Sequence, residues 1–191
     1  MDPEIARAGF VLVGGNSSRM GRDKASLPYR GRTLVEHVAA AVAEAAGSVT
    51  LVGAPERYPG LDYPRVADSR TGLGPLAGIH SALSASRAAW NLIVACDMPG
   101  LSGPFLRSLL DAAERSGGDC LIPSGPSGMP EPLCAVYHLR CLGPIGDALD
   151  RNVRKIADGL AGVRSEVWKV DESCWFRNAN TPEEWTQYAN G

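Results

Sequence analysis

The chain lacks several features that would place it in a specialised class of protein. No apolar run in its 191 residues approaches the roughly 18 residues that a membrane-spanning helix needs. The formal net charge at pH 7 is only −2, so there is no surplus of basic residues to attract nucleic acid or an anionic membrane surface. Residues Met1–Ala8 contain no apolar segment of the signal-peptide type. These absences predict a cytoplasmic protein that binds neither nucleic acid nor a membrane.

The cysteines are few and form no recognisable framework. No two of the five lie in a C-x-x-C pair, and no histidine stands at metal-ligand spacing from them. An odd number of cysteines without a framework is typical of reduced thiols in a cytosolic protein, where they serve mostly as small buried hydrophobic residues. The five are Cys96, Cys120, Cys134, Cys141 and Cys174.

The composition is that of an ordinary globular domain. Hydrophobic residues make up 45% of the chain and charged residues 21%, which excludes a disordered protein. A chain of 191 residues is long enough for one domain with a buried core and too short for two ordinary domains. The sequence has no internal repeat and no low-complexity segment. We therefore expect a single domain over residues 1–191.

Apolar segments alternate with helical patterns along the chain. Residues 9–13 form a short apolar run of the kind found in buried parallel strands. Thr33 and Glu36 form a capping box in front of an amphipathic helix that ends at Gly47, and Ser102 caps a second helix. Further strands are predicted at residues 48–52, 90–96, 120–123, 133–137 and 166–170, and further helices near residues 145–160 and 182–188. This alternation predicts an α/β fold, a three-layer sandwich in which helices cover both faces of a mostly parallel sheet.

The loop after the first strand combines glycines with cations. Gly14 and Gly15 allow backbone N–H groups to approach a phosphate closely, and Arg19, Arg22 and Lys24 add positive charge. The loop is not a Walker A motif, because its last glycine is not followed by Lys-Ser or Lys-Thr, and it does not match G-x-G-x-x-G. A Gly-Gly turn alone is usually only a turn. The three cations favour a phosphate-binding loop.

Asp97 closes the most hydrophobic of the predicted strands, residues 90–96. In open α/β sheets, ligands bind beyond the carboxyl ends of the strands, where a carboxylate can hold a Mg²⁺ ion that bridges phosphate oxygens. The structural alternative is that Asp97 caps the following turn, as Asp often does in Asp-x-Pro. The residues by themselves leave both interpretations open.

Five short motifs follow one another along nearly the whole chain. They are Leu12–Lys24, Gly74–Gly78, Cys96–Pro99, Glu131–Leu133 and Asn178–Glu183. Together they resemble the molybdenum cofactor guanylyltransferase family, the MobA-like NTP transferases. Five motifs in a fixed order are far more specific than any one of them alone.

The resemblance implies a fold, an activity and partners. It implies one α/β domain with a Rossmann-like nucleotide-binding half, about residues 8–125, and an acceptor-binding part, about residues 126–191. It implies that GTP and Mg²⁺ are used to attach GMP to the terminal phosphate of molybdopterin, with release of pyrophosphate. The implied substrates are GTP and molybdopterin or the molybdenum cofactor. Implied protein partners are cofactor-delivery proteins and target molybdoenzymes, in transient contacts.

The resemblance also implies a role for each matching residue. The backbone of Leu12, Val13 and Gly14 contacts the nucleotide, with Gly15 in the same cradle. Arg19 and Lys24 bind the triphosphate, and Asp68 lies near the nucleoside. Asp97 binds Mg²⁺, and Asn180 completes the metal site. The implied catalytic residues are Arg19, Lys24 and Asp97; a phosphate nucleophile is already ionised at pH 7, so no histidine is needed as a base.

Two segments depart from the pattern of the family. Leu51–Ala54 stands where the family commonly has an Asn beside the base. A related cytidylyltransferase, or another NTP:phosphate nucleotidyltransferase with a different acceptor, is therefore an alternative. The family's arginine-rich segment corresponds loosely to Arg151–Lys155. A non-catalytic nucleotide sensor is a further alternative, but the presence of both Lys24 and Asp97 argues against it, because binding alone needs no metal-ligating carboxylate.

Overall fold

A computed structural model describes residues 6–13, 24–53, 58, 60–70, 72–172 and 174–176, and for Lys24 and Cys174 it describes the backbone alone. In chain order the strands are β1 (Arg7–Leu12), β2 (Pro28–Tyr29), β3 (Arg32–Thr33), β4 (Thr50–Gly53), β5 (Arg65–Ala67), β6 (Trp90–Ala95), β7 (Cys120–Ser124), β8 (Cys134–His138) and β9 (Ser165–Lys169). The helices are α1 (Leu34–Ala46), α2 (Pro75–Ala85), α3 (Gly103–Arg115), α4 (Leu142–Asp150) and α5 (Ile156–Gly159). No helix in the described part of the chain is long and apolar enough to cross a membrane.

In the described part of the chain, seven strands form one sheet in the order β5-β4-β1-β6-β8-β7-β9, while β2 and β3 form a separate hairpin. Strand β8 runs antiparallel to β6 and β7. The other neighbouring pairs of this sheet are parallel. The carboxyl ends of β4, β5, β1, β6 and β7 therefore lie at one edge, which we call the carboxyl edge, together with the amino end of β8.

Strand β1 shows how the helices form two outer layers. Its residues alternate, so that Val11 packs in the cluster formed with α1 and α3, while Phe10 and Leu12 pack in the cluster formed with α2 and α4. All three side chains are buried, which is the pattern of a strand covered on both faces. The predicted α/β fold with a mostly parallel sheet is thus confirmed.

The predicted helix caps are present in the structure. The Thr33 hydroxyl accepts from Glu36 N–H at 3.4 Å, and Glu36 Oε2 accepts from Thr33 N–H at 2.8 Å, which is the complete capping box of α1. Gly47 ends the helix at φ 77°, in the left-handed region that favours glycine. Ser102 caps α3 by accepting from Phe105 N–H at 3.4 Å.

The capping box gives a stability prediction. We expect Thr33→Ala to lower the free energy of unfolding by about 1 kcal/mol, because the first turn of α1 loses its side-chain acceptor. Thr33→Ser keeps the oxygen and should retain most of this stability. Urea denaturation of the two variants and the parent measures the difference. Equal losses in both variants would mean that the threonine methyl group, and not the cap, provides the stability.

Three local predictions differ from the structure. The helical region expected near residues 145–160 is two helices, because Asn152 adopts φ 61°, a left-handed conformation that ends α4. Helix α2 was not predicted as a helix; it begins after Gly74 with Pro75, residue types that patterns assign to turns. Strand β5 is only three residues long. The helix expected near residues 182–188 lies outside the described residues.

Candidate functional site

The end of β1 lies at the middle of the carboxyl edge. Val13 N–H donates to Val52 O at 2.8 Å, and Cys96 N–H donates to Leu12 O at 3.2 Å, so the chain is bonded to β4 on one side and to the end of β6 on the other. Leu12 also packs on α2. Its Cδ1 lies so near Gly78 that a Cβ added at this glycine would be 3.3 Å away. These contacts fix the point from which the glycine-rich loop departs. Nucleotide contacts of Leu12 and Val13 stay a prediction.

The order of the strands creates a crevice beside β1. The chain runs from β1 to β4 and β5 on one side and then returns to place β6 on the other side of β1. Such a reversal is a topological switch point, where open α/β sheets bind their ligands beyond the carboxyl ends of the strands. Asp97 stands at this point, two residues after the end of β6.

The turn that carries Asp97 is anchored on both sides. Before it, Cys96 is bonded to β1, and after it, Met98 is 1% exposed in the core. Pro99 O lies 3.1 Å from Nε2 of His37 on α1. The partly buried carboxylate is therefore held in a defined place at the crevice, as a ligand-binding group needs to be.

Glu131 is a second carboxylate beside Asp97, and no role was predicted for it from the sequence. Because β8 runs antiparallel to β6, the residues before Cys134 return to the carboxyl edge, where Leu133 O accepts from Ala95 N–H at 2.7 Å. Burial raises the pKa of Glu131, and the neighbouring charge of Asp97 raises it further. Pairing of β8 with β6, which no local pattern reveals, brings the two acidic groups together.

Asp68 lies on the far side of β1 from Asp97. It follows β5, and three strand spacings of about 4.8 Å separate β5 from β6, or about 14 Å. Its Oδ1 accepts from Ser81 Oγ of α2 at 3.0 Å and from Arg70 N–H at 3.1 Å. Within the described residues, Oδ2 of Asp68 has no hydrogen-bond donor. The two predicted acidic residues thus flank the ends of β1 and β4 without meeting.

The start of α2 lies at the same edge of the sheet. Gly74 precedes the helix at φ 79° and provides no side-chain cap. A Cβ at this glycine would lie 3.7 Å from Arg154 O, so the basic segment Arg151–Lys155 runs beside the first turn of α2. Arg154 and Lys155 are exposed. The motif Gly74–Gly78 and the basic segment, far apart in sequence, are neighbours in the fold.

Several predicted site residues cannot be placed. Gly14, Gly15, Arg19 and Asn180 lie outside the described residues. The backbone of Lys24 begins a 3₁₀ turn, Lys24–Ser26, and its neighbour Ala25 is buried. Within the described ranges, no three His, Cys, Asp or Glu side chains converge as they would around a metal ion. The triphosphate and metal roles of these residues therefore remain predictions.

The three histidines have structural surroundings. Burial lowers the pKa of His37, His80 and His138, and nearby arginines lower it further, so their rings are largely neutral at pH 7. His37 contacts the turn after Asp97, as described above, and also packs edge-on against Tyr29.

A groove of about 660 Å³ lies on the α1–α3 face, between the β2–β3 hairpin, α1 and the start of α3. Glu44 already faces the first turn of α3, since a Cβ at Gly103 would clash with the Glu44 carboxylate. A carboxylate there occupies the position that the helix N-terminus would offer to an anion. This groove is therefore a different cavity from the crevice at Asp97, and a carboxylate already occupies its α3 end.

A doubly wound sheet with a carboxylate at its switch point is the arrangement of an α/β ligand-binding domain. The sequence profile of the MobA-like NTP transferase domain matches residues 9–164. The chain belongs to this family and is a nucleotidyltransferase.

Relatives of similar length agree with this assignment. The chain is 31% identical over 177 residues to a probable molybdenum cofactor guanylyltransferase of Flavobacterium johnsoniae, covering 92% of each protein. It is 34% identical over 188 residues to the molybdenum cofactor guanylyltransferase of Xanthomonas euvesicatoria, covering 94% of this chain and 92% of the relative. Similarity at this level over nearly the whole length makes a shared fold and class of chemistry the direct expectation.

Solved structures show the same fold. Molybdopterin-guanine dinucleotide biosynthesis protein A from Archaeoglobus fulgidus superposes with a TM-score of 0.81 at 27% identity, covering 96% of this chain and 97% of that one. The 2-C-methyl-D-erythritol 4-phosphate cytidylyltransferase of Thermus thermophilus superposes with a TM-score of 0.72 at 19% identity, over 97% of this chain and 98% of that one. The similarity to the cytidylyltransferase supports the fold alone.

Proposed function

We propose that this nucleotidyltransferase transfers GMP from GTP to the terminal phosphate of molybdopterin and releases pyrophosphate. The observation that carries the proposal is the similarity, over more than nine-tenths of the chain, to relatives named as molybdenum cofactor guanylyltransferases. The position of Asp97 at the switch point supports it, because a transfer between phosphates needs a cation there. The likeness to a cytidylyltransferase concerns the fold alone, so it favours no second function.

Mg²⁺ is the metal that the donor chemistry of the crevice fits. Asp97, partly buried at the crevice, offers carboxylate oxygens, which hard divalent cations prefer. We assign Asp97 as the metal ligand and Asn180 as the residue that completes the site. When bound, the metal supplies charge that neutralises phosphate oxygens during transfer.

The protein residues would then position the reactants and stabilise charge. The acceptor phosphate attacks the α-phosphorus in line, and the bond to pyrophosphate breaks, so no proton has to be removed from the nucleophile. Arg19 and Lys24 would neutralise the departing pyrophosphate, and the main chain at Leu12–Gly15 would hold the nucleotide. Asp68 would accept from a nucleoside hydroxyl through Oδ2, since Oδ1 already accepts from Ser81 and Arg70.

Two further assignments belong to this proposal. The half of the chain from about residue 8 to residue 125 would bind the nucleotide. The part from about residue 126 to residue 191 would bind the acceptor. Cys120, Cys134 and Cys141 are free thiols, which suits the cytoplasm, where GTP is available. The product has to reach a molybdoenzyme. We therefore propose that the protein makes transient contacts with cofactor-delivery proteins or with the target enzymes.

Base selection provides the test. We expect kcat/KM for GTP to exceed that for ATP by about a hundredfold, because a pocket of backbone carbonyl and N–H groups matches N1–H, N2–H₂ and O6 of guanine. Adenine would leave such groups unpaired at a cost of about 1–3 kcal/mol each. Mass spectrometry of the products, after incubation with molybdopterin, Mg²⁺ and each of GTP, ATP, CTP and UTP, measures the preference.

The outcomes separate the alternatives. A guanine dinucleotide of molybdopterin, formed together with pyrophosphate, supports the proposed reaction. A preference for CTP, or equal kcat/KM values for GTP and CTP, would mean that the chain is a related cytidylyltransferase or is unselective. Nucleotide binding without any dinucleotide product would favour a different acceptor or a nucleotide sensor.

A further inference from the structure

We propose that Glu131 recognises the ring of the acceptor, by accepting hydrogen bonds from the N–H groups of a 2-amino-4-oxopyrimidine edge. This edge is present in a pterin and, with the same donors, in guanine. The inference rests on the proposed function, because it takes the acceptor to be a pterin carrying a phosphate. We assign the edge to the acceptor and not to the nucleotide.

The order of the strands favours the acceptor. The glycine-rich loop departs from β1, and Asp68 follows β5, so the predicted nucleotide contacts lie on the β1-β4-β5 side of Asp97. Glu131 precedes β8 and lies on the opposite side of Asp97, next to β7. A phosphate acceptor has to approach the nucleotide from the side that the nucleotide leaves open. Glu131 is on that side.

Glu131 is held in place through its backbone while its carboxylate keeps its bonding capacity. Glu131 N–H donates to Pro123 O at 2.9 Å, and Glu131 O accepts from Cys134 N–H at 3.0 Å. The next residue is fixed as well, since the fully buried Tyr137 donates its hydroxyl proton to Pro132 O at 2.6 Å. In the described part of the chain, no residue donates a hydrogen bond to the partly buried Glu131 carboxylate.

A partly buried carboxylate to which no described protein group donates can accept hydrogen bonds from a ligand without breaking any bond within the protein. The ring N–H and the 2-amino group of a pterin are adjacent, nearly parallel donors, and the two oxygens of a carboxylate accept such a pair side by side. A lumazine carries a carbonyl in place of the 2-amino group. It therefore loses one donor and sets an acceptor against the carboxylate, so the two rings form a matched pair of probes.

The test is fluorescence titration of the full-length protein with 6-hydroxymethylpterin and with 6-hydroxymethyllumazine. We expect the parent to bind the pterin about tenfold or more tightly than the lumazine. Glu131→Gln should lose this discrimination, because an amide presents a donor to one of the two ligand donors. Glu166→Gln, the same change at an exposed position of β9, should leave the discrimination unchanged. Thermal unfolding confirms that each variant is folded.

The outcomes distinguish the two sources of the edge. If Glu131→Gln weakens GTP binding and leaves the pterin unaffected, the edge belongs to guanine and the inference is wrong. A parent that does not discriminate the two rings, or does not bind the pterin, also overturns it. In steady-state assays with molybdopterin, we expect Glu131→Gln to raise KM for the acceptor about tenfold while KM for GTP stays within about twofold. If the parent forms no guanine dinucleotide, the proposed function fails. If the parent forms the dinucleotide but Glu131→Gln has an unchanged KM for the acceptor, only the inference about Glu131 fails.

Discussion

Asp97→Asn is expected to lower Mg²⁺-dependent turnover by about 10² to 10³, while nucleotide binding without metal changes little. The amide keeps the shape of the side chain but loses the negative charge that a hard cation prefers. A metal that stabilises transition-state charge contributes several kcal/mol, which corresponds to a rate change of this size. Titration of activity with Mg²⁺, compared with nucleotide titration in a chelator, measures both effects.

The matched control for this prediction is Asp147→Asn, the same change at an exposed position of α4. It should leave the Mg²⁺ titration as it is in the parent. Asp97 stands on an anchored turn between Cys96 and the buried Met98, so a structural role is the real alternative. Superimposable metal titrations of Asp97→Asn and the parent would establish that alternative, and a lowered melting temperature would accompany it.

Lys24→Ala is expected to lower turnover by about 10² to 10³, since one lost charge contact to the leaving pyrophosphate costs a factor of this order. The backbone of Lys24 begins a short 3₁₀ turn that is anchored by the buried Ala25, so the fold should survive removal of the side chain. Turnover at saturating GTP and molybdopterin, with thermal unfolding as the check on folding, measures the effect.

Lys169→Ala is the control for Lys24, because Lys169 is an exposed lysine on β9. Its turnover should match that of the parent. Turnover of Lys24→Ala close to that of the parent would remove Lys24 from the catalytic residues and leave Arg19 as the predicted triphosphate ligand. A loss confined to KM for GTP, with kcat retained, would assign Lys24 to ground-state binding only.

Local signals in the sequence predicted the elements that depend on neighbours in the chain. The capping box of Thr33 and Glu36, the αL residue Gly47 and the cap Ser102 all act within one helical turn, and the structure has each of them. Apolar runs predicted β1 and β6 nearly to their observed ends. The ordered motifs resembled the family to which the chain belongs, and the family determined the class of enzyme.

Elements without a strong local signal were missed or misjudged. Helix α2 contains both Pro75 and Gly78, and it is stable because it buries Leu76 and Ile79 against the sheet, a contact that only the assembled core provides. Asn152 looks unremarkable within a helical pattern, yet its left-handed backbone divides α4 from α5. Tertiary packing outweighed the local preference in α2, whereas Asn152 adopts a left-handed conformation that asparagine tolerates and that the helical pattern did not reveal.

The sequence by itself determined the helix caps, the principal strands, the α/β class and the position of Asp97 at the end of a buried strand, because these follow from contacts within a few residues. Only the tertiary structure decided that β6 lies beside β1 at a switch point and that β8 runs antiparallel. The pairing of strands depends on which surfaces bury one another across long stretches of chain. That pairing separates Asp68 from Asp97 and brings Glu131 close to Asp97.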